Sequence, residues 1–370
     1  MRRRQLLRLT GVGALGGLAG CSAGYAGTPE REPTAAGGGP ELPVPGDEIR
    51  TAVAKDHIAA ITDPVFADDW SDLDIPDDAE LPSLVDETAV IGVEREGRAR
   101  AYPLAVLDWH EVVNDEFGGP LLVTYCPLCG SAVVAERTVA GSATLFGVSG
   151  KLYRGDLVMY DAATESLWSQ LLATAIRGPR TGDRLSLLPS RLTSWRSWRE
   201  AHPDTEVLLP PPHSNTVRGR DATAPYFDSK YNYEEQSQLI GYDSEHGDLT
   251  PRTLVVGISH DGVSRAYPYP TIRDEGVVND RVGGLPVVVT ITPDGGLAAY
   301  DRRIGGAVRT FAVSGAGHLR AAGTRFERTT GEAVAGPLAG KTLRPATDVP
   351  PLFWTGWESF HPETEVYGRE

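Results

Sequence analysis

The sequence predicts an α+β fold that is predominantly antiparallel β and consists of two tandem copies of one duplicated unit. Short runs of strand-forming residues recur and are separated by glycine-containing turns, as at residues 89–93 and 98–102 on either side of Glu96-Gly97. The pattern has none of the long helices that alternate with the strands of a parallel sheet. A repeat of long period then divides the chain into two copies.

Two short helices interrupt the strand pattern of the first copy. Pro103 is expected to open one of them, because proline is tolerated at a first helical position, and His110 lies near the end of that helix. The other is expected to follow an N-cap at Thr193 or Ser194 and to end before Pro203. The strand-like runs around these helices are residues 121–125, 132–135, 144–148, 157–160 and 206–208.

The internal repeat is the most informative feature of the chain. The Ala-Tyr-Pro of residues 101–103 recurs at 266–268, and the Val-Val-Asn-Asp of 112–115 recurs at 277–280, both at the same spacing. A period this long predicts a duplicated domain with a first copy at 47–208, a connection at 209–250 and a second copy at 251–370. The residues kept in both copies, read as turn formers and core packing, include Asn114, Asp115, Trp195, Trp198 and His202; the last three recur at a slightly shorter spacing as Trp354, Trp357 and His361.

Composition and charge exclude two classes of protein. The chain has no run of 18 or more apolar residues, so we do not expect an integral membrane protein. Its formal net charge is −15, and the acidic surplus is spread along the chain without a basic patch that could bind the phosphates of a nucleic acid. Such an acidic surface remains soluble at high salt, and we therefore expect a halophilic protein.

The N-terminal segment, 1–21, is predicted to be a targeting signal. Arg3-Arg4 begins a twin-arginine export pattern, and Leu18-Ala19-Gly20-Cys21 reads as a lipobox whose cysteine would carry a lipid. The alternative is a cleaved soluble signal in which Cys21 has no role. Residues 22–46 are rich in Gly, Pro and Ala and are predicted to form a flexible tether. The expected location is the outer face of the cytoplasmic membrane.

The two copies differ at three positions suited to chemistry. His110, Cys126 and Cys129 of the first copy align with residues that carry none of these groups. Because the three groups are lost together while the surrounding pattern persists, we predict that they form one site, with the second copy as a degenerate structural partner. The aligned residues of the second copy are Glu275, Thr292 and Gly295.

The Cys-x-x-Cys pair suits thiol redox chemistry. A strand that runs into a loop with Pro127 and Gly130 is expected to bring both thiols near the surface. A thiolate at Cys126 or Cys129 would attack a disulfide or a peroxide, and the other cysteine would resolve the intermediate. An imidazolium at His110 would favour the thiolate.

The same residues also suit a soft metal ion. Two thiolates, His110 and the thioether of Met159 would form a set that fits copper(I), with zinc less favoured, although Met159 by itself reads as core packing. A third interpretation is an inert pair, either a small disulfide ring or two buried thiols. Trp168 and Gln170 are expected to wall a pocket, with core packing as the alternative for Trp168.

A set of motifs extends over nearly all of the chain, from about residue 58 to residue 367. They are Ala101-Tyr102-Pro103, His110-Glu111-Val112-Val113-Asn114-Asp115, Thr124-Tyr125-Cys126-Pro127-Leu128-Cys129-Gly130, Ser149-Gly150-Lys151-Leu152-Tyr153, Met159-Tyr160-Asp161, Ser166-Leu167-Trp168-Ser169-Gln170 and Phe353-Trp354. In these motifs the sequence resembles domain-of-unknown-function family 3179, for which no function is established. Some similar proteins are described as selenoproteins, which implies redox or nucleophilic chemistry at the Cys pair where selenium replaces a sulfur.

Together these patterns predict an extracytoplasmic, lipid-anchored protein with a thiol redox centre at Cys126, Cys129 and His110. Its substrate, and whether it is an enzyme, stay open. The first alternative is a protein that binds or transfers copper(I) through the same cluster, and the second is a non-catalytic structural module. The expected partners are the membrane, through the lipid on Cys21, and a redox or metal-donor protein.

Overall fold

Small antiparallel sheets make up most of the protein. The computed structural model describes residues 40–73, 84–219 and 249–369, all of which belong to one compact unit. Within these ranges no helix is both long and apolar enough to cross a membrane. The features that lie outside the described residues are the predicted export signal with Cys21, residues 22–39 of the predicted tether and residues 220–248 of the predicted connection.

The described residues of the first half contain two short helices and many short strands. The helices are α1 (Leu104–His110) and α2 (Trp195–Ala201), and Gly46–Glu48 forms a 3-10 turn. The strands are β1 (Ile49–Thr51), β2 (Ile61–Asp63), β3 (Phe66–Ala67), β4 (Ala89–Arg95), β5 (Arg98–Pro103), β6 (Val112–Glu116), β7 (Pro120–Cys126), β8 (Ser131–Glu136), β9 (Thr138–Val139), β10 (Ser142–Ala143), β11 (Phe146–Tyr153), β12 (Asp156–Asp161), β13 (Leu167–Ser169), β14 (Thr174–Arg177), β15 (Arg191–Ser194), β16 (Glu206–Leu208) and β17 (Asn215–Thr216).

The second half has the same character. Its helices are α3 (Tyr269–Glu275) and α4 (Trp354–Phe360). Its strands are β18 (Leu254–His260), β19 (Val263–Pro268), β20 (Val277–Val282), β21 (Leu285–Ile291), β22 (Leu297–Asp301), β23 (Arg303–Ile304), β24 (Ala307–Val308), β25 (Ala312–Val313), β26 (His318–Ala321), β27 (Thr324–Glu327), β28 (Ala333–Ala335), β29 (Leu352–Phe353) and β30 (Glu365–Val366).

In the part of the chain that the structure describes, each half contributes three main sheets, and the small sheets are arranged in a propeller-like manner. The prediction of a mostly antiparallel β fold is confirmed, because most of the strand pairs are antiparallel. In the described residues both halves also run through two strands, one helix and three strands in the same order. The sheets of the first half are β15-β4-β5-β16-β3, β17-β2-β6-β7-β8 and β1-β11-β12-β13-β14, and those of the second half are β29-β18-β19-β30, β20-β21-β22 and β25-β26-β27-β28.

The ends of the first two helices follow from local sequence. Helix α1 starts directly after Pro103, and it stops at Glu111, whose backbone is left-handed with φ of 55°. Helix α2 starts after Ser194, whose hydroxyl accepts a hydrogen bond from the Ser197 amide. Of the two candidate N-cap residues, Thr193 and Ser194, the structure therefore has Ser194 as the N-cap.

Residues shared by the two predicted copies make the same contacts in each half. The Asn114 side chain bonds both the amide and the carbonyl of Phe146, and Asn279 does the same for Phe311. These bonds tie β6 to β11 and β20 to the chain just before β25. They are backbone-bridging contacts of the kind expected for structural residues.

The Asp of the repeated Val-Val-Asn-Asp motif also has the same surroundings in both halves. Asp115 accepts hydrogen bonds from Arg100 and from the Tyr102 hydroxyl. The equivalent carboxylate in the second half accepts bonds from the equivalent arginine and tyrosine, which are Asp280, Arg265 and Tyr267. A fully paired carboxylate in each half favours a structural role over that of a general base.

Val44 lies in the range predicted as a tether. Its side chain is fully buried, its amide donates a 2.9 Å hydrogen bond to the Ile176 carbonyl, and its carbonyl accepts a bond from Arg177. The packed part of the chain therefore includes Val44, which precedes the predicted start of the first copy at residue 47.

Each half stacks a tryptophan directly on a glycine, and substitution of that glycine is expected to destabilise the protein. A Cβ on Gly92 would lie 2.3 Å from the Trp198 ring, and one on Gly257 would lie 2.1 Å from the Trp357 ring. We expect Gly92→Ala to lower the free energy of unfolding by about 2 kcal/mol, because the buried indole must move. Urea unfolding would measure this loss. Gly317→Ala is the control, since its Cβ would meet only Pro293 at 3.6 Å, and an equal loss in both variants would contradict the prediction.

Candidate redox centre

The two cysteines lie at the tip of the hairpin formed by β7 and β8. Cys126 is the last residue of β7 and pairs with Ser131, so that the turn between them contains Cys129. Gly130 completes the turn with φ of 59°, a left-handed conformation that suits glycine. The two sulfurs are 2.7 Å apart, and the Cys129 amide donates a 3.3 Å hydrogen bond to Cys126 Sγ. The hairpin therefore holds both sulfurs on one side of the turn.

Both cysteines are buried, contrary to the expectation of thiols near the surface. Cys126 is 1% exposed and Cys129 is 2% exposed. The loop pattern correctly indicates a turn, but residues of the second half pack over it: the Phe353 amide donates to the Cys129 carbonyl at 2.7 Å. Burial, followed by the hydrogen bond with Cys126, raises the pKa of the Cys129 thiol well above its usual range.

Asp156 is the third member of the cluster. It is the first residue of β12 and is fully buried, and its Oδ1 lies 4.0 Å from Cys129 Sγ. The Ser169 hydroxyl and the Leu171 amide donate to the carboxylate. Because burial outweighs these hydrogen bonds, the pKa of Asp156 is raised to about 7. The two thiols and this carboxyl offer ligand atoms that all lie within 4.8 Å of one another.

Asp156 is not among the site residues predicted from the sequence, and the internal repeat explains why. Gly150 matches Gly315 at the longer spacing between the predicted copies, whereas Trp195 matches Trp354 at the shorter one, so an alignment of the two needs a gap in between. Asp156 lies in that interval and has no dependable partner in the alignment. In the sequence, Asp156 is an acidic residue next to the apolar run Leu157-Val158-Met159. This pattern is typical of an ordinary strand end and does not indicate a functional site.

His110 is buried at the end of α1, where its Nδ1 lies 2.5 Å from the Ala59 carbonyl oxygen. Burial lowers the pKa of His110 to about 4, and the contact with Ala59 offsets only part of this effect. The ring is thus neutral near pH 7 and cannot supply the positive charge that an imidazolium would. His110 is not in the group formed by Cys126, Cys129 and Asp156, and its part in catalysis or metal binding stays a prediction.

Met159 and Trp168 face each other across β12 and β13. Met159 is fully buried in the same apolar cluster as the two cysteines, and it pairs with Trp168 in the strand register. The Trp168 indole donates to Asp161 at 2.9 Å and packs edge-on against Phe146. These contacts are those of core residues, and a metal contact through the Met159 thioether stays a prediction.

Gln170 bonds the strand ends next to the cysteine turn. Its amide nitrogen donates to the Thr124 hydroxyl and the Ser131 carbonyl, and its amide oxygen accepts from the Ser131 hydroxyl at 2.8 Å. Thr124 lies on β7 just before Cys126, and Ser131 is the strand partner of Cys126. Gln170 therefore supports the strand ends that position the two sulfurs.

Glu111 is a second buried acid in this region that sequence reasoning did not select. It is 5% exposed and adopts a left-handed backbone, whereas the second half has Gly276 at the equivalent helix end. Burial, followed by the charges of Asp108 and Asp156, raises the pKa of Glu111 to about 8. A carboxyl that is uncharged at neutral pH and held in a strained conformation costs stability, and such features cluster at functional sites.

The fold and the site together define a β-rich protein whose first half holds two buried thiols beside a buried carboxyl. The chain belongs to domain-of-unknown-function family 3179, because the model of this family, described as "Protein of unknown function (DUF3179)", matches residues 55–364. The family resemblance seen in the sequence motifs is thereby confirmed. No curated protein and no solved structure matches the chain.

Proposed function

We propose that Cys126 and Cys129 form a dithiol–disulfide redox centre in which Asp156 accepts and returns the proton of Cys129. The observation that carries this proposal is the 2.7 Å separation of the two sulfurs with the Asp156 carboxyl 4.0 Å from one of them. Two adjacent sulfurs can join with little backbone movement. A carboxyl that titrates near neutral pH suits proton transfer with a thiol.

The surroundings of the two cysteines favour different roles for them. The Cys129 amide donates a hydrogen bond to Cys126 Sγ, and this contact orients the Cys126 sulfur in the turn. Cys129 has the raised pKa and the neighbouring carboxyl, so its thiol needs a base before it can react. Cys126 is therefore the attacking cysteine, and Cys129 is the resolving cysteine.

The proposed cycle balances in protons and electrons. The Cys126 thiolate attacks the oxidant, which takes up two electrons, and part of the oxidant remains on Cys126 as a mixed disulfide or a sulfenic acid. Cys129 transfers its proton to the Asp156 carboxylate and attacks the Cys126 sulfur. The disulfide forms, and the expelled group takes the proton from Asp156. An external dithiol returns the pair to the reduced state.

A redox titration tests the proposal. The full chain, equilibrated in buffers of reduced and oxidised dithiothreitol and quenched by alkylation in denaturant, is expected to show one reversible loss of two thiols. Peptide mass mapping would assign both thiols to the segment with Cys126 and Cys129. In Cys126→Ser or Cys129→Ser this two-thiol transition is expected to disappear. A pair that stays reduced, or that no dithiol can reduce, would contradict the proposal.

A metal site is the second candidate, supported by the three ligand atoms that lie within 4.8 Å of one another. Two thiolates and a carboxylate fit zinc, whereas the carboxylate is a hard ligand that fits copper(I) poorly. Cys126, Cys129 and Asp156 would hold the ion, and a bound zinc would supply a Lewis acid. Retention of about one zinc per chain after purification without chelator, lost in Cys126→Ser, would favour this function over the redox centre.

The proposal includes the location expected from the targeting segment. A twin-arginine signal and a lipid on Cys21 would anchor the redox centre at the outer face of the cytoplasmic membrane. There it would meet a reducing partner of the membrane or the cell surface. Mass analysis of the N-terminal peptide from membranes of the source cells, with Cys21→Ser as the control, would test the lipid.

A further inference from the structure

The second half of the molecule covers the cysteine loop through strand β29 and the start of helix α4. The Phe353 amide donates to the Cys129 carbonyl at 2.7 Å. A Cβ on Gly130 would lie 2.5 Å from the Phe353 ring, and a Cβ on Gly356 would lie 3.1 Å from the Cys129 Cβ. Backbone and side-chain atoms of β29 and α4 are therefore in direct contact with the turn that holds Cys129. Phe353 and Gly356 together form the cover of this turn.

Comparison of the two halves indicates that this cover is a specific feature of the second copy. In the alignment that matches Trp354 to Trp195, Phe353 replaces Ser194, the residue that caps helix α2, and Gly356 replaces Ser197. Helix α4 accordingly has no side-chain cap, and it has a glycine near its start. Both changes weaken a helix. They also place an aromatic ring over Gly130 and allow the helix to approach Cys129 closely.

We infer that this cover makes the redox centre selective for small hydroperoxides over bulky disulfides, an inference that rests on the proposed function. A thiolate displaces a thiol from a disulfide through a near-linear arrangement of three sulfurs, so both halves of the disulfide must fit beside Cys126. A small hydroperoxide needs to bring only its outer oxygen to the sulfur. Cys126 is only 1% exposed, so an oxidant whose approach needs less space beside its sulfur is favoured over one whose approach needs more.

The reaction with a hydroperoxide balances as follows. The Cys126 thiolate bonds to the outer oxygen, the O–O bond breaks, and the inner oxygen leaves as an alkoxide that takes a proton from solvent. The Cys129 thiolate then attacks the sulfenic sulfur, and the S–O bond breaks. The departing hydroxide takes the proton that Asp156 received from Cys129. One hydroperoxide and two thiols give one disulfide, one alcohol and one water.

Single-turnover oxidation of the reduced full chain tests the inference. The oxidants are hydrogen peroxide, tert-butyl hydroperoxide, cumene hydroperoxide and oxidised glutathione, and the readout is the rate of disulfide formation between Cys126 and Cys129. The rate is expected to fall along this series, by about tenfold or more from hydrogen peroxide to oxidised glutathione, because access limits the attack. In Phe353→Ala the ratio of the rates with bulky and small oxidants is expected to rise.

Phe360→Ala is the matched control, since Phe360 lies at the far end of helix α4, which begins directly after Phe353, and packs against Tyr153. It is expected to keep the wild-type ratio, and Phe353→Leu provides a second cover variant if the alanine variant does not fold. Equal rates with oxidised glutathione and hydrogen peroxide in the wild type would overturn the selectivity while leaving the redox centre in place. Failure of every oxidant to form the disulfide would instead refute the proposed function.

Discussion

Asp156→Asn is expected to slow closure of the Cys126–Cys129 disulfide by about a hundredfold at neutral pH, the usual contribution of a positioned general base. Asparagine keeps the shape of the side chain and cannot accept the Cys129 proton. In the wild type the active form of Asp156 is the carboxylate, whose pKa is about 7. The wild-type rate should therefore rise as the pH passes through about 7, and this rise should be absent from the variant.

The measurement is single-turnover oxidation by hydrogen peroxide between pH 5.5 and pH 8.5, followed by thiol alkylation. Asp161→Asn is the matched control, because Asp161 is a fully buried acid of the same strand that bonds Trp168 and Thr164 and lies outside the cysteine cluster. It should keep the rise in rate near pH 7, whatever its effect on stability. The same pH profile in Asp156→Asn and the wild type would rule out a proton-transfer role for Asp156.

Glu111→Gln is expected to stabilise the protein at alkaline pH and to have little effect below about pH 4.5. The pKa of Glu111 is about 8 in the folded protein, against 4.5 for an ordinary glutamate. A raised pKa means that the folded state keeps a proton that the unfolded state loses between these values. Wild-type stability should therefore fall as the pH rises from about 4.5 to 8, by on the order of 4 kcal/mol from this one group.

The quantity to measure is the difference in free energy of unfolding between Glu111→Gln and the wild type, from urea titrations at several pH values. The difference should grow with pH and level off above about 8. Glu96→Gln is the control, since Glu96 has a similar backbone φ of 53° but an exposed side chain, and no comparable trend is expected from it. A constant difference across this range would show that the Glu111 carboxyl is not held uncharged.

Local sequence patterns were sufficient for several parts of the structure. Ser194 at the start of α2 acts through a hydrogen bond to a residue three positions later, whereas Pro103 before α1 and Gly130 in the cysteine turn act through their own backbone conformation. All three effects are local, so a short stretch of sequence is enough to predict them. Comparison of the two predicted copies also distinguished residues that make the same contacts in both halves, such as Asn114 and Asn279, from the two cysteines, which occur in the first half.

The electrostatic state of the site could not be read in the same way. The sequence suggested that His110 would supply a positive charge beside the thiols, whereas burial keeps its ring neutral near pH 7. Burial depends on how much of the rest of the chain surrounds a side chain, and a sequence motif does not show this. The uncharged form of Glu111 at neutral pH has the same origin.

The amino-acid sequence alone established the mostly antiparallel β class, the family and the thiol pair, because each of these rests on residue type and on short-range periodicity. Tertiary structure alone decided that Asp156, on another sheet, is the carboxyl beside Cys129, and that Phe353, from the other half of the chain, closes over it. These neighbours meet only when separate sheets and the two halves pack together. Packing of that kind depends on the summed burial of many side chains. The local sequence around two residues therefore does not show whether packing will bring them into contact.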